Sequence, residues 1–445
     1  MTVMFGADCE LGDIVEFVNG GAWSQSAYSA GGVPVVRVTN IRGDHIDLSD
    51  CKHLPFELRQ KYQKHLLRTG DLVIATVGSH PTQPNSVVGR PAVVSDRIDG
   101  CLLNQNAVLL RSKSNRLDQR WLGYLGKSDR FRSYIIECAR GSANQVRMSI
   151  ALLKKMPVRL PALETQHRIA SILGAYDDLI EVNRRRIVVL EEMARGLFEE
   201  WFVRLRFPGF EAVSIQDTQN GPLPEGWNQV AFGSLLQHSV GGLWGEATAT
   251  NADDQRVSVV RGTDFPKLLV GNYAGVPDRF VSDRELASRV LAAGDLVLEA
   301  SGGSKDQPVG RVLYVTASLI ERLRPPVAPA SFCRLLRPLS KAGNGLYLYG
   351  LLQAMYKDGR IEKFQKQSTG LRNLSMKHLA AETVTVPEDK LLASFESATK
   401  PWLEAASLHR HESRALGASR DLLLRRLMSG ELSGAEVERE LEEAA

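Results

Sequence analysis

A four-residue segment near position 70 returns near position 294, and the order of motifs around it returns as well. Gly70-Asp71-Leu72-Val73 is repeated as Gly294-Asp295-Leu296-Val297. Each copy runs through a small polar loop into Val-Gly-Arg, at Val88-Gly89-Arg90 and at Val309-Gly310-Arg311. Further on, each half has a Gly/Ser/Thr/Gln-rich loop, Gly141 to Arg147 and Gln367 to Asn373. An apolar stretch ending in proline follows, at Pro161 and Pro387, and then a long helix-forming segment. The offset of about 225 residues is far longer than any solenoid unit. A chain built this way is constrained to fold as a domain plus a helix, twice, with two similar but non-identical surfaces about an approximate two-fold.

Length and composition fit that plan. The chain has 445 residues, 43% of them hydrophobic, enough for more than one real core. No N-terminal basic segment leads into an apolar run, and no stretch approaches 18 consecutive apolar residues. The five cysteines are scattered without a CxxC pair, which reads as reduced thiols in a cytoplasmic protein rather than a disulfide framework or a zinc site. The net charge of +4 is unevenly divided. Residues 1–163 and 206–387 together carry +10, whereas the helix-forming segments 164–205 and 388–445 carry −6. A polyanion is drawn to the first set and repelled by the second, although scattered surface charge gives the same totals.

The expected boundaries are a first domain over 1–160, a long helix over 161–206, a second domain over 207–387 and a C-terminal helix over 388–445. Short apolar runs bounded by Gly, Asn, Ser and Pro predict strands at Val33 to Val38, Leu72 to Val77 and Ala107 to Leu110. The second half echoes them at Val257 to Val260, Leu296 to Leu298 and Arg311 to Val315. A helix is expected near Trp121 to Cys138 and near Tyr347 to Lys366. The Pro/Gly/Asn/Gln-rich stretch 207–227 reads as the linker leading into the second half. The fold class is therefore α+β, two similar mixed α/β domains separated by two long helices that pair as an antiparallel coiled coil.

The helix after Pro161 is the most regular part of the chain. Ile169, Leu173, Tyr176, Ile180, Asn183, Ile187, Leu190, Ala194, Leu197 and Trp201 alternate steps of four and three, an unbroken a/d seam. A long amphipathic helix lying on its own domain is the competing reading. The C-terminal segment carries a weaker seam with Phe395, Trp402, His409, Leu416 and Leu423 seven apart. The offset that matches the two prolines carries Asn183 onto His409, so each seam has a polar residue at the same place. In an antiparallel pair these midpoints would meet and fix register. Pro401 predicts a kink or a fresh helix start.

Catalytic signatures are missing from the sequence. It has no GxxxxGK[ST] phosphate loop, HExxH, EF-hand pattern or GxSxG elbow. It has no Asn-Pro-Pro-aromatic run of the adenine methyltransferases either. His409 and His411 lie two apart on a helix and point in different directions, so no metal is assigned. What remains are polar segments able to read nucleic acid. Thr82, Gln83 and Asn85 in the first half and Ser304 and Lys305 in the second follow matching strands. Asn144, Gln145 and Arg147, and then Lys366, Gln367, Arg372 and Asn373, follow matching helices. Asn, Gln and Arg make bidentate contacts to base edges, and Ser, Thr and Lys hold phosphates. Ordinary turns use the same residues, so the recurrence in both halves is the stronger signal.

Together these features resemble the specificity subunit of a type I restriction–modification enzyme. The carriers are Leu160-Pro161-Ala162-Leu163-Glu164-Thr165-Gln166-His167-Arg168-Ile169-Ala170 with its helix, then Phe207-Pro208-Gly209 and Leu223-Pro224-Glu225-Gly226-Trp227. The ending Asp421-Leu422-Leu423-Leu424-Arg425-Arg426-Leu427-Met428-Ser429-Gly430-Glu431-Leu432 is also typical. The resemblance implies a non-catalytic, sequence-specific double-stranded DNA-binding chain, each domain reading one half of a bipartite site. It implies modification subunits that dock on the helices and carry S-adenosylmethionine, and restriction subunits that use ATP and Mg, with no cofactor on this chain and no membrane. One departure stands out, since Lys390-Leu391-Leu392 replaces Glu164-Thr165-Gln166 in the second copy. The 32 residue steps from Ile169 to Trp201 span roughly 48 Å of helix, about 14 base pairs. Helix length should then set the unread spacer. A DNA enzyme with embedded recognition is one rival. Another is a two-domain coiled-coil scaffold, including one serving a non-methylating defence system.

Overall fold

The computed structural model describes residues 8–42, 45–81, 86–142, 145–303, 308–324, 326–341, 343–368, 371–437 and 439. The chain divides into two compact units, Met1–Asp178 with Gly417–Ala445, and Leu179–Leu416. Both boundaries fall inside a long helix, Leu163–Phe198 and Asp389–Ser429.

Each unit repeats the same sheets. In the first, a four-stranded antiparallel sheet has the order Val15–Asn19, Ala107–Ser112, Leu72–Ala75, Pro91–Val93. In the second the order is Leu236–Gly241, Cys333–Pro338, Leu296–Glu299, Val312–Tyr314. The registers agree as well, since Leu72 faces Leu110 as Leu296 faces Leu336. A mixed three-stranded sheet accompanies each, centred on Val33–Val36 and on Asp254–Val260. The central strands Leu72–Ala75 and Leu296–Glu299 are buried throughout, which explains their continuous apolar runs.

The repeated Gly-Asp-Leu-Val is an architectural device. Gly70 and Gly294 take φ of +86° and +93° at the turn into the strand, a conformation glycine adopts without steric cost. The aspartates that follow are buried. Arg111 Nη2 donates to Asp71 Oδ2 at 2.6 Å, and Arg337 Nη2 donates to Asp295 Oδ2 at 2.7 Å. The same guanidinium nitrogens also donate to the carbonyls of Leu66 and Val290. The Val-Gly-Arg glycines are equally matched, for a Cβ on Gly89 would meet Ile135 Cγ2 at 2.0 Å and one on Gly310 would meet Ile361 Cγ1 at 2.6 Å.

The helix expected near Trp121 to Cys138 is two helices, Gln119–Lys127 and Asp129–Cys138, because Ser128 ends one and caps the next by accepting from Phe131 N. The expected linker 207–227 is more structured than its composition implies. It contains an antiparallel pair, Ile215–Thr218 with Gly221–Pro224, and an apolar cluster of Leu205, Phe207 and Trp227.

The long helices pair antiparallel within each unit. In the first unit Arg420 Nη1 donates to Asp177 Oδ1 at 2.5 Å, and Ile169, Leu173, Leu424 and Leu427 share one core. In the second, Phe395 stacks against Phe198, Trp201 and Phe202 at ring-centroid distances of 6.1, 6.0 and 4.9 Å. Every seam position of the first helix named from the sequence is buried or half-buried. Asn183 and His409 meet through a third residue. Asn183 Nδ2 donates to Glu412 Oε2 at 3.0 Å, and His409 Nδ1 lies 3.3 Å from the same oxygen.

The second helix runs without a break through Pro401, so of the kink or fresh start expected there the fresh start does not occur. Phe395 of its heptad is buried, and Trp402, His409, Leu416 and Leu423 are half-buried. Thr399, Ala406, Arg420 and Leu427, each four residues after a heptad residue, are buried together with Leu424. Small and polar residues on that buried face hide it from hydrophobic periodicity.

Candidate nucleic-acid interface

In each unit the later polar segment singled out from the sequence forms a small antiparallel sheet with the short strand that follows the Gly-Asp-Leu-Val strand. In the first unit Gln145–Met148 lies between Ala139–Ser142 and Val77–Gly78. In the second Leu371–Leu374 lies between Gln365–Ser368 and Ser301–Gly303. Segments read as post-helix loops are thus hairpins, and the short strand after each Gly-Asp-Leu-Val strand is their third partner. Backbone hydrogen bonds fix the equivalence, since Met148 N donates to Thr76 O as Leu374 N donates to Ala300 O.

Strand alternation decides which side chains face away from the core. Val146 and Met148 are buried, so Arg147 between them is exposed. Among the described residues no carboxylate pairs with Arg147. The structural counterpart of Arg147 is Asn373, each opposite the third strand at Val77 and Ser301. Asn373 Oδ1 accepts a hydrogen bond from Ser301 Oγ, which holds the amide in one orientation. Lys366, facing Asn373 across the hairpin, is exposed.

Arg372 differs from the role its sequence position suggests. It shares a face with buried Leu374, its Nη1 donates to Gln365 Oε1 at 3.4 Å, and Glu362 lies 4.0 Å away. It is the counterpart of Val146, not of Arg147. Loop spacing could not separate adjacent residues of a strand, and only the register does. The backbone pairing of Arg140 with Arg147 matches that of Lys366 with Asn373. Gln145 and Gln367 are placed on hairpin strands. Thr82, Gln83, Asn85, Asn144, Ser304 and Lys305 lie outside the described residues.

The Gln119–Lys127 helix, N-capped by Asp118, is tied to the long helices through Asp177, which accepts from Tyr124 Oη at 2.9 Å and lies 3.5 Å from Lys127 Nζ. Burial alone would raise the Asp177 carboxyl, but Lys127 and Arg420 hold it below the usual carboxylate range. Burial, followed by the Asp177 charge, pushes the Tyr124 hydroxyl far up, keeping it a donor. At the start of the first long helix Gln166 is fully buried. Its Oε1 accepts from Asp118 N and its Nε2 donates to the carbonyls of Arg116 and Pro161, all at 2.8 Å.

Among the described residues no group of three or more His, Cys, Asp and Glu side chains could hold a metal ion. None of the five cysteines is in a disulfide, and among the described residues no helix is long and apolar enough to cross a membrane.

Residues 7–192 match the type I restriction modification DNA specificity domain. The MjaX type I restriction enzyme specificity subunit of Methanocaldococcus jannaschii is 25% identical over 294 residues, covering 64% of this chain and 67% of the relative. The MjaIX specificity subunit of the same organism is 23% identical over 319 residues, covering 70% and 68%. The fold is similar to a crystal structure of the type I restriction-modification S subunit from M. genitalium, with TM-score 0.57 and 14% identity over 95% of each chain.

Proposed function

We propose that the chain is a type I restriction–modification specificity subunit, as the match over residues 7–192 and the similar specificity subunits support, and that each unit reads one half of a split DNA site through its three-stranded hairpin sheet. The observation that carries this is the second construction of the same sheet from different residues. Arg147 lies opposite Val77 and Asn373 opposite Ser301 at equivalent places of the two sheets, although the second pairing carries a bulge between Ser301 and Gly303. Arg reads guanine and Asn reads adenine by bidentate contacts in the major groove. A duplicated frame with unlike outward residues suits a site whose two halves differ.

The chain acts as a non-catalytic recognition subunit. The long helices set the unread spacer and dock modification subunits, which bring S-adenosylmethionine; restriction subunits join with ATP and Mg. Docking on the helices is supported by Leu179, Val182, Val189 and Met193. These are 52%, 42%, 52% and 44% exposed and follow one face of the first long helix at steps of three, seven and four residues.

Arg147→Ala should weaken cognate binding by about 1–3 kcal/mol and relax selectivity at one base of one half-site. Binding titrations against a set of single-base variants test this. An equal loss for every sequence would make Arg147 a phosphate contact.

A further inference from the structure

A cleft of about 340 Å³ in the second unit lies on the mixed three-stranded sheet, which is a different sheet from the hairpin. Its walls include Arg256, Arg322, Arg324, Tyr273 and Asp278. Asp278 is the single carboxylate among the lining residues, and it is already neutralised. Arg256 Nε donates to its Oδ2 at 3.1 Å, Ser258 Oγ donates to its Oδ1 at 3.0 Å, and the Arg256 bond in particular holds the carboxyl below the usual range. Arg322 and Arg324 are both exposed, and Arg324 also acts on the Asp278 carboxylate. The cleft therefore sets three guanidinium groups against one carboxylate, beside a hydroxyl donor, Tyr273. The second long helix adds to the field, for Arg410 and Arg414 act electrostatically on the same Tyr273 as Arg322 does.

Two details mark this as more than scattered surface charge. Arg324 has φ of +62°, a left-handed conformation costly for a long side chain, at the end of the Ala317–Leu323 helix. The first unit has only a three-residue 3-10 turn, Asp96–Ile98, where the second builds that helix. The duplicated core therefore does not need these arginines.

We infer that the cleft of Arg256, Arg322, Arg324 and Tyr273 is a phosphate-binding site, filled by a backbone phosphate of the bound duplex outside the bases read by the hairpin. A phosphodiester offers the acceptors these guanidinium and hydroxyl donors require, and bidentate Arg–phosphate geometry is favourable. This inference rests on the DNA-binding reading above. It assigns to the second unit a sequence-independent anchor with no counterpart in the first.

The test is DNA binding by the full chain, in whatever assembly it is purified, against salt concentration. The variants are Arg322→Gln with Arg324→Asn, and Arg322→Lys with Arg324→Lys. The Gln/Asn variant should lose affinity equally for cognate and non-cognate duplexes, with the slope of log K against log salt falling by about 0.9 per phosphate contact removed. The Lys pair should restore most of the slope. An unchanged slope and affinity in the Gln/Asn variant, with wild-type binding intact, would overturn the inference alone. No specific binding by the wild type would instead overturn the DNA reading beneath it. Saturable, arginine-dependent binding of inorganic phosphate with unaltered DNA binding would assign the cleft to free phosphate and overturn the backbone source.

Discussion

Asp177 receives Arg420, Tyr124 and Lys127 around one carboxylate, and it shows how a single residue on a long helix can orient a recognition domain. Arg420 is 7% exposed and also bonds Asp421 at 2.7 Å. Removing one partner of a buried charge network is costly because the other charge stays buried. Asp177→Asn should therefore destabilise the first unit by about 3–5 kcal/mol, read by chemical denaturation. The folded pKa of Asp177 is lowered, so its contribution is present above the unfolded value of about 3.9 and is lost as pH falls through the folded value. The Asn variant should show a shallower loss of stability over that acid range than the wild type, and parallel profiles would deny Asp177 this role. None of this was legible in the sequence, where Asp177 sits beside the first seam as one more helix charge. The duplicated Asp71 and Asp295 were legible as important, but only the structure shows that they hold Arg111 and Arg337 rather than a ligand.

At the scale of elements, the first long helix was the most readable part of the chain because large apolar residues occupy its seam. The second was less so. Its buried face holds Thr399, Ala406, Ser407 and Arg420 beside its leucines, which no hydrophobicity pattern distinguishes from a solvated face. The hairpins were visible as polar recurrences, but their strand character was not, since Gly, Ser and Gln have little β-propensity. The departure at the helix starts now has a physical account. Gln166 satisfies a backbone N–H and two carbonyls, whereas Leu392 at the corresponding position of the second copy is fully buried among apolar residues. One helix start is stitched by polar bonds and the other by packing. Gln166→Ala should strand three backbone groups and cost about 1–3 kcal/mol or more, measured as a lowered denaturation midpoint. An unaltered midpoint would mean that water replaces the amide.

At the scale of the molecule, the chain encodes one frame twice and varies what the frame presents. The sheets repeat in strand order, the buried Asp–Arg pairs repeat in geometry, and unlike residues fall on the outward hairpin positions and the arginine cleft. Duplication was therefore the feature from which most of the architecture could be read. The choice between Arg147 and Arg372 as an outward residue needed the strand register. The central claim is that this chain selects a split DNA site, one hairpin sheet to each half. A genome-wide map of adenine methylation, in cells with and without the chain and with the hairpin 139–148 replaced by that of a relative, tests it most directly. One split, asymmetric motif should disappear without the chain, and the hairpin replacement should alter one half of it only. A methylation map unchanged by loss of the chain, with its partner methyltransferase expressed, would contradict this claim.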